Sequence, residues 1–228
     1  GVTLDELDMS GAAPAELVVA CGDHVAITAG DDFAIAVQGT DKAKARVRFV
    51  LEDGTLFVMR DCSGQDEAAE ADDDNAADAA IGFATITISM PAPEKLTIAG
   101  SGRITTATLA ADAAVVIAGS GGIEAAALTS QRLEVTIAGS GCFSAAGTAQ
   151  QLEVAVAGSG TADMAALTAE EAEIDIAGSG DVTFASDGKV KANIMGSGVV
   201  TVRGSARCKV HSMGSGSLVC ERGEDKAA

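Results

Sequence analysis

The chain has 228 residues, with 33 acidic against 15 basic and a formal net charge of −18; the resulting field repels nucleic acid and anionic membranes and speaks against a DNA- or RNA-binding role. Hydrophobic residues make up 47%, yet there is no Trp, no Tyr and only six Phe, so a core has to be filled by small and β-branched side chains, which suits a narrow, regular interior. No run of about 18 apolar residues occurs, which excludes a membrane-spanning helix.

The first residues, GVTLDELDMSG, lack a charged segment followed by an apolar one, so an export signal is expected to be absent from this stretch or already removed. Within residues 1–62, AELVVACGDHVAITAGDDFAIAVQG and ARVRFVLEDGTLFVMRDC alternate apolar and polar positions, with turn signals at Gly22, Gly30, Gly39 and Asp53-Gly54. They read as strands that begin or cap a larger β structure. Residues 63–80 carry seven acidic side chains and little hydrophobic bulk, the composition of a mobile loop.

Residues 81–222 repeat. The motif GSG starts at Gly100, Gly119, Gly139, Gly158, Gly178, Gly196 and Gly214, at intervals of 19, 20, 19, 20, 18 and 18, a constancy that marks a repeat architecture. Two residues before each motif stand Ile98, Ile117, Ile137, Val156, Ile176, Ile194 and Ser212; two residues earlier stand Leu96, Val115, Val135, Val154, Ile174, Ala192 and Val210. The columns between them carry Lys95, Glu134, Glu153, Glu173, Lys191 and Lys209, or Thr97, Thr136, Asp175, Asn193 and His211, and alternation resumes after the motif with Ile104, Ile123, Phe143, Ala162, Val182, Val200 and Leu218. Each repeat is therefore strand, glycine corner, strand. It is too short for a strand plus a full helix, and the pattern predicts an all-β parallel β-solenoid with about 18–20 residues per coil and coils about 4.8 Å apart.

Ser101, Ser120, Ser140, Ser159, Ser179, Ser197 and Ser215 are expected to form a hydroxyl ladder along the corner, with a local hydrogen-bonding role. A nucleophile is a poor reading of them, because catalysis needs one base against one activated hydroxyl and the chain offers only His24 and His211 to seven equivalent serines. Residues 223–228 form a polar tail that would discourage strand addition at that end.

Five cysteines without CxxC spacing do not make a zinc site. Cys208 and Cys220 fall on inward columns either side of the last corner, so a disulfide could lock the final coil, the alternative being two thiols that merely pack; such a bond suits an oxidising compartment. Cys21 and Cys62 could pair and leave Cys142 free, but spacing does not fix the connectivity.

Glu134, Glu153 and Glu173 share an outward column that continues as Lys191 and Lys209, with Asp175 nearby. Stacked carboxylates could hold calcium, but a solvated charged face is the simpler reading. GSGDVTF, Gly178 to Phe184, lacks the nine-residue period of a calcium-binding β-roll, with only Asp181 following any of the motifs; DDDNAAD lacks the glycine and glutamate of an EF-hand loop. No GxxxxGK[ST] is present, so the glycine motifs are corners rather than phosphate cradles. No metal, cofactor or catalytic residue is assigned.

The serial (I/V)xGSG coils, the lead-in ITISMPAPEKLTIAGSG and the ending GSARCKVHSMGSGSLVC resemble the head GIN domain family of auto-transporter adhesins, over roughly residues 15 to 222. The resemblance implies a right-handed parallel β-helix, a bacterial source and an exported, envelope-associated protein, and brings no catalytic residues. The expected function is a non-catalytic surface module that binds a cell-surface protein or glycan, or itself, in the periplasm, at the outer membrane or on the cell surface. The alternative is a polysaccharide-active enzyme with acids drawn from Glu153, Glu173 and Asp175, for which the aromatic sugar platforms are missing.

Overall fold

In the computed structural model, residues 1–9, 11–61 and 83–221 are described, apart from the Glu221 side chain. The acidic stretch 63–80, Cys62 and the tail 223–228 lie outside them. The described strands form one hydrogen-bonded sheet that winds into a β-solenoid.

One ladder rises through the strands that precede the corners: β1 (Glu16–Ala20), β7 (Lys95–Gly100), β9 (Asp112–Gly119), the later parts of β10 (Gly122–Gly139), β11 (Cys142–Gly158), β12 (Thr161–Gly178) and β13 (Asp181–Gly196), and β15 (Arg207–Gly214). All neighbours in it are parallel. A second parallel ladder follows the corners: β2 (His24–Ala29), β8 (Arg103–Thr106), the first parts of β10 to β13, then β14 (Val199–Arg203) and β16 (Ser217–Glu221).

The register is the one the repeat predicts. Ile98, Ile117, Ile137, Val156, Ile176 and Ile194 pair in succession and are all buried. Each buried Ile or Val contributes about 1.5–3 kcal/mol by leaving water, and stacking like on like leaves no step in the core for a larger side chain to fill. The Ala-rich connections, read from sequence as links, are themselves paired: Leu128, Thr129 and Ser130 lie against Gly147, Thr148 and Ala149. This third side was hidden because alanine and threonine give little contrast between inward and outward positions.

The corners hold because glycine alone fits them. Gly119 has φ +122°, and a Cβ there would stand 2.5 Å from the carbonyl oxygen of Gly100 on the coil below; both the backbone angle and the approach forbid a side chain. Cys21-Gly22-Asp23 occupies the same place one coil below the first motif, where its carbonyls accept from the amides of Gly102 and Arg103.

The bottom of the solenoid is sealed by reversed strands. Strands β5 (Thr55–Arg60) and β6 (Thr85–Met90) continue the two ladders below β1 and β2. Beneath them β4 (Val47–Glu52) pairs antiparallel to β5 and β3 (Ala34–Gln38) antiparallel to β6. The β4–β5 hairpin turns at Asp53-Gly54, both at positive φ (50° and 76°), as a two-residue primed turn requires. One short helix, α1 (Asp41–Arg46), was not anticipated among these strands; Thr40 caps it by accepting from the Ala43 amide, with Asp41 in its first turn and Lys44 and Arg46 in its last.

Candidate functional site

The seven corner serines form one exposed row. The hydrogen bonds that climb this row come from the serine backbone: the amides of Ser120, Ser140, Ser159, Ser179, Ser197 and Ser215 donate to the first glycine carbonyl of the coil below, at 2.8–3.0 Å. The serine side chains are exposed along the whole row.

Cys208 and Cys220 are joined by a disulfide with Cα atoms 6.8 Å apart. They sit above Val190 and Val202, on the inward columns, but the last coil has no described coil above it, so Cys208 is half-buried and Cys220 exposed. Cys142 is a free, exposed thiol and Cys21 a free, buried one; a Cys21–Cys62 pairing involves a residue outside the described set. Burial pushes the Cys21 thiol up to about 12, which makes it a packing group rather than a nucleophile.

Asp23 is the buried charge that the sequence reading passed over. It is fully buried, accepts from the Ala84 amide at 2.8 Å and from Arg60 Nε at 3.1 Å, and forms a salt bridge with Arg60 Nη2. Arg60 in turn lies over the Phe83 ring, 5.8 Å from its centroid. The clip joins the end of β5 to the start of β6 and to the first corner. Its sequence signal was the acid standing where the seven later corners place their second glycine.

A groove of about 740 Å³ lies on the side formed by the ladder that precedes the corners. Its walls are two adjacent outward columns. One runs Arg132, Gln151, Glu171, Lys189, Arg207 and the other Glu153, Glu173, Lys191, Lys209, a column that Glu134 continues outside the groove; Leu152, Ala172, Val190 and Cys208 lie between them. Period-2 alternation puts every second side chain outside, and parallel in-register stacking brings like positions onto neighbouring coils.

Along the groove the charge inverts. Residues 133–188 contain nine acidic residues and no basic one, whereas 189–221 contain Lys189, Lys191, Arg203, Arg207 and Lys209 against Glu221 alone. At the boundary Lys189 pairs with Glu171 at 3.1 Å, Lys191 pairs with Glu173, and Asn193 donates to Asp175 at 2.7 Å. The hydrogen bond from Lys191 to Glu173 holds the Lys191 ammonium above its ordinary range. At the other end of the groove Arg132 donates to Gln151 at 3.1 Å. The Lys189–Glu171 and Lys191–Glu173 side chains are 48–78% exposed, and such surface pairs contribute at most about 1 kcal/mol each. The fold does not depend on them.

Glu134, Glu153 and Glu173 thus do share a column, and Asp175 lies beside it. Among the described residues no three His, Cys, Asp or Glu side chains gather as a metal cluster. No described helix is long and apolar enough to cross a membrane.

A family model described as "Putative auto-transporter adhesin, head GIN domain" matches residues 13–206. Among solved structures, a "putative adhesin" from Bacteroides fragilis superimposes with a TM-score of 0.75 at 21% identity, covering 91% of this chain and 92% of its own. A "Putative lipid binding protein" from Parabacteroides distasonis gives 0.69 at 21% identity (92% and 93%), and a "putative adhesin" from Parabacteroides merdae 0.64 at 14% (91% and 92%). At these identities the likeness concerns the fold. Among curated proteins none matches in sequence.

Proposed function

We propose, because this chain belongs to the head GIN domain family of auto-transporter adhesins, that it is a non-catalytic contact module exported to the bacterial envelope or cell surface, and that it meets its partner through the groove between Arg132 and Lys209. The observation that carries this reading is a wide lateral face whose charged pairs are too weak to matter for folding, so that they are free to serve recognition. The terminal disulfide supports export, since such bonds persist in oxidising compartments. The solenoid core supplies rigidity, which keeps the entropic cost of contact low.

The test is retention of the purified chain on isolated bacterial envelope material. Wild type is expected to be retained, and both Lys189→Glu/Lys191→Glu and Glu171→Lys/Glu173→Lys to lose at least tenfold in retention. Equal retention of all three, or none by wild type, would count against the groove.

A further inference from the structure

We infer that the partner of this groove is a second copy of the same chain, seated face to face with its solenoid axis reversed. The inference rests on the contact-module reading above and adds the identity of what is contacted.

The coils are numbered here by their corners, from Gly100 as the first to Gly214 as the seventh. Facing surfaces in a closed dimer are related by a two-fold axis lying in the plane of contact, and each residue then meets one from the same patch. An axis along the strand direction, placed between coils five and six, keeps every column opposite itself and exchanges coil five with six and coil four with seven.

Under that operation Glu171 faces Lys189, Glu173 faces Lys191 and Glu153 faces Lys209. Gln151 faces Arg207 and Asp175 faces Asn193. The column just before the corner reads Ala157, Ala177, Met195, Met213 on coils four to seven. Met195 and Met213 protrude, 58% and 76% exposed, and the same axis sets Met195 opposite Ala177 and Met213 opposite Ala157. Each long apolar side chain therefore meets a small one, beside a shallow depression of about 170 Å³ that Ala155, Ala157 and Ala177 line together with Asp175, Asn193 and Met195 itself. Charge and shape are matched by one and the same axis.

The pairing also completes what the single chain leaves open. Within one chain, Glu171 and Glu173 already hold Lys189 and Lys191; face to face, each such pair meets its inverted twin and forms a four-charge cluster of alternating sign. Glu153, Arg207 and Lys209, which have no ion-pair partner among the described residues, acquire one or a polar neighbour. Four coils about 4.8 Å apart and seven residues at about 3.3 Å give a footprint near 440 Å² per copy. Doubled, this falls below the roughly 1,200 Å² of stable specific interfaces and among transient ones, so the dimer is weak and salt-sensitive.

Sedimentation velocity of the full chain over a concentration series decides the matter. At low salt the wild-type average mass is expected to rise from one chain toward two, and at about 1 M salt, where screening acts within about 3 Å, to fall back. At positions 171, 173, 189 and 191, Lys189→Glu/Lys191→Glu leaves only acidic side chains and Glu171→Lys/Glu173→Lys only basic ones; each alone is expected to stay monomeric, and an equimolar mixture to form the heterodimer. Unchanged melting profiles of both variants establish that they are folded. Wild type that stays monomeric at every concentration, variants that dimerise as wild type does, or a mixture that stays monomeric each overturn the inference. Envelope retention that is lost in both variants while wild type stays monomeric would overturn self-pairing and leave the contact function standing.

Discussion

At the scale of single residues the corner glycines and the Asp23 clip are the sensitive points. Gly139 has φ +122°, and a Cβ there would approach the Gly119 carbonyl oxygen to 2.5 Å, so Gly139→Ala is expected to destabilise by about 1–3 kcal/mol from the backbone angle alone, read as a lower midpoint in urea unfolding. Ser140→Ala, one residue on, removes an exposed hydroxyl and is expected to change the midpoint little. Asp23→Ala removes the carboxylate that Arg60, whose side chain is 16% exposed, and the Ala84 amide both donate to, and is expected to cost about 1–3 kcal/mol; an unfolding midpoint within error of wild type would refute the clip. Asp187 gives a pH signature. Its Oδ1 accepts from the Ser205 amide and hydroxyl, both at 2.8 Å, which hold the carboxyl below its ordinary range, the amide foremost. A lowered folded value means that the contact is fully formed above the ordinary carboxylate range and is lost as pH falls through the lowered one. The protection of the Ser205 amide against hydrogen exchange, taken relative to its intrinsic rate at each pH, should therefore fall on acidification in wild type and be low throughout in Asp187→Ala.

At the scale of elements the ladders are local, in that each coil touches only the coils above and below, so damage is expected to stay near its source. Cys220→Ser opens a loop with a sequence separation of 12, for which chain entropy predicts a loss of about 3 kcal/mol. Faster exchange should appear in β15 and β16 while β9 and β10 stay protected; uniform loss of protection would show the solenoid to be one cooperative block. The strands either side of each corner were legible because Ile, Val and Leu alternate there with Glu, Lys and Thr, as in LEVTIAGSG. The third side was not, since in AALTAEEA small residues occupy both faces. Helix α1 was missed for a related reason: TDKAKAR is short, and its cap, Thr40, also suits a turn between strands. Asp23 escaped notice because an acid in a turn is ordinarily solvated, and only the arrival of Arg60 from 37 residues away makes it structural.

At the scale of the whole molecule the charge is unevenly spread: a net −18 chain ends in coils that are locally basic. The sequence showed Glu134, Glu153 and Glu173 giving way to Lys191 and Lys209 in one column, and a solvated face accounted for that column alone. The neighbouring column inverts at the same coil, and the alanine-to-methionine change falls there too, which becomes visible only when the corners fix three columns on one surface. The sealed floor has a further consequence. Reversed strands β3 and β4 fix where the stack begins, whereas among the described residues nothing comparable fixes its height. Inserting one more 19-residue unit, such as the stretch from Gly139 to Ala157, is expected to lengthen the molecule by about 4.8 Å and leave the storeys beneath undisturbed. Relatives of unequal length should then differ by whole storeys, and the reach of the molecule becomes a quantity that evolution can count out one tandem duplication at a time.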